Sequence, residues 1–140
     1  MKTMKFFAAM CCAAIVFAFT GCSKDLEDEI IGSWSLQSET VSETYNGQTH
    51  TETETLEEGE SVIMTFNEDN TLTEVVVYDG NEFTSTGTYS INGDKLTVHM
   101  EGDDESTTST LDIDGNTMTI TYSESFGGGT VKVVSKFKKI

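Results

Sequence analysis

Few residues in this 140-residue chain could do chemistry, and their neighbours limit what each can do. The cysteines are Cys11, Cys12 and Cys22. Cys22 follows a small residue, Gly21, behind an apolar run from Phe6 to Phe19, which makes its thiol a candidate for covalent modification at a membrane surface. The histidines are His50 and His99, the bases that could activate a Ser or Thr nucleophile. His50 falls in a stretch that alternates Thr with acids, and His99 alternates away from Leu96, Val98 and Met100, toward solvent. Neither is tied by spacing to a nucleophile, so an enzyme is not expected. Asp112, Asp114 and Asn116 have the alternate spacing that opens a calcium loop. Gly115 comes too early, however, and the twelfth position is Ser123, so a hairpin turn is expected there. Asp103, Asp104 and Glu105 form a similarly incomplete ligand set. Gly127-Gly128-Gly129 precedes a strand and lacks a following Gly-Lys-Thr, which makes it a hairpin loop and not a phosphate cradle. No metal and no cofactor is expected.

The segment around Cys22 divides the chain. Lys2 and Lys5 start it, and the 14-residue apolar run is too short to span a bilayer but suits the core of a signal peptide. With Phe19-Thr20-Gly21-Cys22 the arrangement resembles the lipobox of bacterial lipoproteins, in which the cysteine is acylated and becomes the first mature residue. Phe19 stands where Leu is usual. The alternative is an ordinary secretory signal cleaved nearby, leaving Cys22 a thiol. Residues 1–21 are thus expected to be a lipoprotein signal peptide, with lipidation at Cys22. Residues 22–31 form an acidic tether with a short helical turn, from which Leu26, Ile30 and Ile31 can touch the domain. The acids Asp25, Glu27, Asp28 and Glu29 resemble the export signal of surface lipoproteins of the Bacteroidota, and Ser23 resembles a residue that does not retain a lipoprotein at the inner membrane. That resemblance implies a lipid-anchored, surface-exposed protein of the outer membrane.

Beyond residue 21 lie 119 residues, about one domain. Six lysines against 24 acids leave a charge of −18, and the chain contains no arginine. Such a surface repels phosphate backbones and lacks bidentate anion recognition, which excludes nucleic acid, and the membrane is met only through the anchor. With Cys11 and Cys12 removed and Cys22 acylated, no internal disulfide can form. Stability must come from a packed core.

From Gly32 onward the apolar pattern has period two, the mark of half-buried strands. Trp34 and Leu36 open the first, and Asn46-Gly47 turns it into a Thr/Glu ribbon over 48–57 with almost nothing to bury. Val62, Met64 and Phe66, then Leu72 to Tyr78, then Phe83, Ser85, Gly87, Tyr89 and Ile91 continue the pattern. Leu96 to Met100, Leu111 and Ile113, Met118 to Tyr122, and Val131 to Phe137 complete it. These are nine candidate strands joined by short turns, without one proline. Turns this short make a meander, and a long meander is relieved of its edges by closing, so the expected fold is all-β: an up-and-down antiparallel barrel of about eight strands. Nine strands do not close evenly. Either the ribbon stays outside or the last strand closes irregularly.

Gly32-Ser33-Trp34 resembles the Gly-x-Trp of lipocalin-like domains, where Trp plugs the closed end of the barrel. Phe66-Asn67-Glu68-Asp69-Asn70-Thr71-Leu72, Gly87-Thr88-Tyr89-Ser90-Ile91, Lys95-Leu96-Thr97-Val98 and the closing Phe137-Lys138-Lys139 are similar to the strand and turn phrases of small lipocalin-like lipoproteins. The resemblance covers residues 32–140 and implies a fold, with no catalytic residues to carry over. Two functions follow. In one, the barrel is a non-catalytic binding module for a small apolar or amphipathic ligand, with space expected where the inward face thins to Ser85 and Gly87 beside Phe83 and Tyr89. In the other, the barrel is solid and acts through its exterior on a protein partner at the cell surface, with the Thr/Glu ribbon as the contact edge.

Overall fold

The computed structural model describes residues 26–140; the signal segment, Cys22 and the first part of the tether, with Asp25, lie outside the described residues. A helical turn at 26–29 leads into nine strands: β1 (Gly32–Tyr45), β2 (Gln48–Glu54), β3 (Ser61–Phe66), β4 (Thr71–Tyr78), β5 (Asn81–Asn92), β6 (Lys95–Met100), β7 (Thr107–Asp114), β8 (Thr117–Phe126) and β9 (Gly129–Lys139). Local chemistry sets the turns. Asn46 and Gly47, at φ of 50° and 76°, take the two left-handed positions of a tight hairpin between β1 and β2. Between β3 and β4, Asp69 Oδ1 accepts the Thr71 hydroxyl at 2.6 Å and the Thr71 N–H at 3.1 Å. The hydroxyl bond first, then the amide, holds the Asp69 carboxyl below its ordinary range.

Neighbouring strands pair antiparallel in chain order from β3 to β9, and β1 pairs with both β3 and β9. That closes an eight-strand up-and-down antiparallel barrel from β1 and β3–β9, with β2 outside it. Both solutions to the nine-strand problem occur together. One edge of β1 serves two partners, with Gly32–Ser35 paired to β3 and Glu39–Tyr45 paired to β2. Its other edge runs along β9 with a register shift between Leu36 and Ser38. A strand of 14 residues is long enough for this, and the bulge bends it where it changes partner.

Every residue of β2 is exposed, so burial does not hold it. Besides its ladder with β1 it has a row of hydroxyl pairs, Thr40 with Thr53 at 2.9 Å, Ser42 with Thr51 at 3.0 Å and Thr44 with Thr49 at 2.9 Å. Such cross-strand pairs each add a few tenths of a kcal/mol to about 1 kcal/mol.

The core is packed at one end. Ile30, Trp34, Phe66, Leu72, Leu96, Leu111 and Met118 are fully buried there, with Tyr89 and Phe137 nearly so. Ile30 comes from the helical turn, and Leu26 and Ile31 pack beside it. Trp34 donates its indole N–H to the Ile30 carbonyl at 2.7 Å. Lys139 crosses the outside, its Nζ 5.0 Å from the Trp34 ring centre and 3.1 Å from the Glu29 carbonyl. Gly32, at φ 123°, clears its path, because a Cβ there would lie 3.2 Å from Lys139 Cε.

Candidate functional site

The opposite end is hollow. Because β1 leaves β3 after Ser35, the wall above that point is shared by two strands that are no longer bonded to each other, and residues 55–60 pass across the gap. Behind it is a cavity of about 500 Å³. Leu36, Val62, Met64, Val76, Ile120 and Phe137 make its apolar walls, with Leu56 at the crossing segment. Trp34 and Phe66 lie beneath, one residue pair further along β1 and β3. The barrel is thus plugged below and open above.

The charged side chains lining the cavity are Glu39, Glu54, Glu60 and Glu74. Glu39 is held on the wall by Ser135 Oγ, which donates to its Oε2 at 2.9 Å. Glu60 Oε2 accepts the Glu57 N–H at 3.0 Å across the loop. Glu74 stands on β4 between Met64 of β3 and Ser85 of β5. Burial among these neighbours pushes its carboxyl above the ordinary value of 4.5.

The sign of that shift gives a prediction. A carboxyl that protonates more readily in the fold than in the unfolded chain supports the fold at pH below its ordinary value, and this support is lost as pH rises through the raised value. Glu74→Gln should therefore melt above the wild type at neutral pH, with the advantage vanishing toward about pH 4. Glu39, Glu54 and Glu60 line the same space and are present in both proteins, so the difference between the two curves reports on the change at position 74. A difference in Tm that stays constant across that range would refute it.

Of the residues expected to line the space, Phe83 and Ser85 are the cross-strand partners of the cavity-lining Val76 and Glu74, while Gly87 and Tyr89 lie toward the closed end. Phe83 is 59% exposed at the rim and Ser85 is exposed. Gly87 is buried with Met100 against it, where its Sδ and Cα would each lie 3.0 Å from an added Cβ. Tyr89 is buried in the plug, its ring edge-on to Phe66 at 5.0 Å and its hydroxyl donated to the Asn67 carbonyl at 2.8 Å. Burial, then the charges of Asp69 and Glu27, raise the Tyr89 hydroxyl's pKa. At Gly87 the small residue does not mark a void, because Met100 of the next strand fills the space it leaves. The cavity lies where β1 changes partner from β3 to β2, a feature that depends on pairing rather than on residue size. Trp34 lies in the closed end, fully buried.

Of the remaining candidates, His50 is exposed and bonded to Glu52 at 2.9 Å, and His99 is exposed and 3.3 Å from Ser106 Oγ. Among the described residues no three His, Cys, Asp or Glu side chains converge as a metal would require.

A family profile for the lipocalin-like domain matches residues 30–120, a span that holds the plug, the first six barrel strands of the chain order and most of the cavity wall. The chain belongs to the lipocalin-like domain family. A lipocalin-like protein from Bacteroides uniformis has the same fold at 18% identity, with 80% of this chain and 99% of that chain covered and a TM-score of 0.51. An uncharacterized protein from Bacteroides eggerthii aligns at 12% identity over 79% of this chain and 98% of that chain, with a TM-score of 0.49. No match was found among curated proteins. In this lipocalin-like domain the helical turn and Gly32-Ser33-Trp34 stand at the closed end of the barrel and the cavity lies above them.

Proposed function

We propose that this lipocalin-like protein is a lipid-anchored, non-catalytic binding module of the outer membrane that holds a small apolar or amphipathic molecule in its barrel. The cavity carries the reading. Its volume of about 500 Å³ is that of a small-molecule site, half of its lining residues are apolar and the other half hydroxyl or carboxylate side chains, and it lies above the packed plug of the barrel. The anchor fits this geometry. Leu26 enters at the closed end, and four residues of chain from Cys22 reach at most about 14 Å, so an acylated Cys22 holds the plug near the bilayer and turns the mouth away from it.

Val76 faces the cavity opposite Val62 and is only partly buried, so a larger side chain there has room. Wild type is expected to bind a neutral fluorescent probe such as N-phenyl-1-naphthylamine, and Val76→Trp to lose that binding while still melting cooperatively. No probe binding by wild type would end the proposal. For the anchor, mass spectrometry of the membrane fraction should find Cys22 acylated at the N-terminus, and Cys22→Ser should leave an uncleaved or mislocalised precursor. An unmodified Cys22 would overturn that half of the reading.

The exposure of β2 along its whole length supports a second reading, in which its outer edge takes up a strand from a partner protein at the cell surface. A photo-crosslinker at Thr53 that captures no protein on intact cells would remove it.

A further inference from the structure

We propose that the cavity selects a cationic amphiphile, an apolar body with a single ammonium-type head, over neutral or anionic molecules of the same size. This rests on the binding reading above and specifies the chemistry of its occupant. The apolar walls of Leu36, Val62, Met64, Val76, Ile120 and Phe137 supply a place for the body. Above them the lining contains carboxylates of one sign and no lysine or histidine.

These acids stand in an arrangement that an occupant would improve. Glu39 and Glu54 are direct cross-strand partners of β1 and β2, and like charges in that relation repel. Glu39 is also fixed in place by Ser135, so it cannot swing away without giving up that bond. Glu74 is half-buried on β4, one strand beyond β3 along the same wall, and among the described residues no lysine or histidine forms an ion pair with it. Partial burial disfavours the charged form of this carboxylate, a cost that a cation beside it would offset. A cation lodged between β1/β2 and β4 would relieve the repulsion and satisfy Glu74 at once, while its hydrocarbon covers the walls. An anion would meet the same groups as a barrier. The charge of the whole chain, −16 over its 140 residues, adds a field that draws cations in.

The test uses the membrane-anchored protein in phosphatidylcholine vesicles, with protein-free vesicles as the reference, and three ligands of equal chain length: octylammonium, octanol and octanoate. Displacement of the neutral naphthylamine probe gives each affinity. Octylammonium is expected to bind at least about tenfold more tightly than octanoate and more tightly than octanol, with the preference shrinking as salt is raised. The triple variant E39Q/E54Q/E74Q should bring the ratio of octylammonium to octanoate affinity close to one. Glu74→Gln alone should lower it in part, which keeps the test open if the triple variant fails to fold. Equal or better binding of octanol or octanoate by wild type would overturn the cation preference while leaving the binding module in place. Binding of none of the three, and of no probe, would overturn both.

Discussion

Trp34→Ala is expected to cost about 3–5 kcal/mol, a large share of the roughly 5–15 kcal/mol that holds a domain of this size together. The ring is fully buried and meets side chains from the helical turn, β3 and β9. Its N–H is bonded to the Ile30 carbonyl at 2.7 Å, so the substitution opens a void and strips a buried acceptor of its donor. It also removes the surface over which Lys139 lies. The loss should appear as a fall in Tm on the order of 10–20 °C. Trp34→Phe separates the contributions, because it keeps an aromatic ring while losing the indole N–H, and should fall between wild type and alanine. An alanine variant that melts within a degree or two of wild type would show that the closed end is held by something else.

Gly87→Leu should be the next most damaging change, for a reason of space. Gly87 pairs with Leu72 on one side and Met100 on the other, and its φ is not positive, so no special backbone conformation is at stake. An added Cβ would collide with the His99 carbonyl oxygen and lie 3.0 Å from both Cα and Sδ of Met100. The methionine sulfur can move, but the backbone of β6 is fixed in its ladder. The expected cost is about 1–3 kcal/mol or more, with Gly87→Ala already showing part of it. Ser85→Leu, two residues earlier on the same strand and exposed, should change stability by less than about 0.5 kcal/mol. Denaturant melts of the three variants decide the matter. A Gly87→Leu protein as stable as wild type would mean that space is left beside β6 after all.

Much of the architecture was legible without coordinates because it follows from local rules. Alternation of apolar and polar residues fixes which face of each strand is buried, turn residues such as Asn46-Gly47 and Asp79-Gly80 fix where the chain reverses, and short connections oblige neighbours in sequence to pair. From those alone come nine strands, a meander and a closed all-β barrel. The core residues Trp34, Phe66, Leu72 and Met118 could be named for the same reason.

The location of the empty space was not local and could not be read this way. It depends on which edge of β1 is bonded to which partner, and that is decided by a competition between β2 and β3 for one strand. A volume is the difference between what the walls enclose and what all facing side chains fill, so a small residue such as Gly87 predicts nothing until Met100 is placed against it. The same holds for charge. Glu39, Glu54, Glu60 and Glu74 are ordinary members of an acidic chain in sequence, and only the closed barrel gathers them around one cavity. Pattern and turn chemistry therefore determined the fold of this protein, whereas strand partnering across the closed sheet decided where its cavity lies and which residues line it.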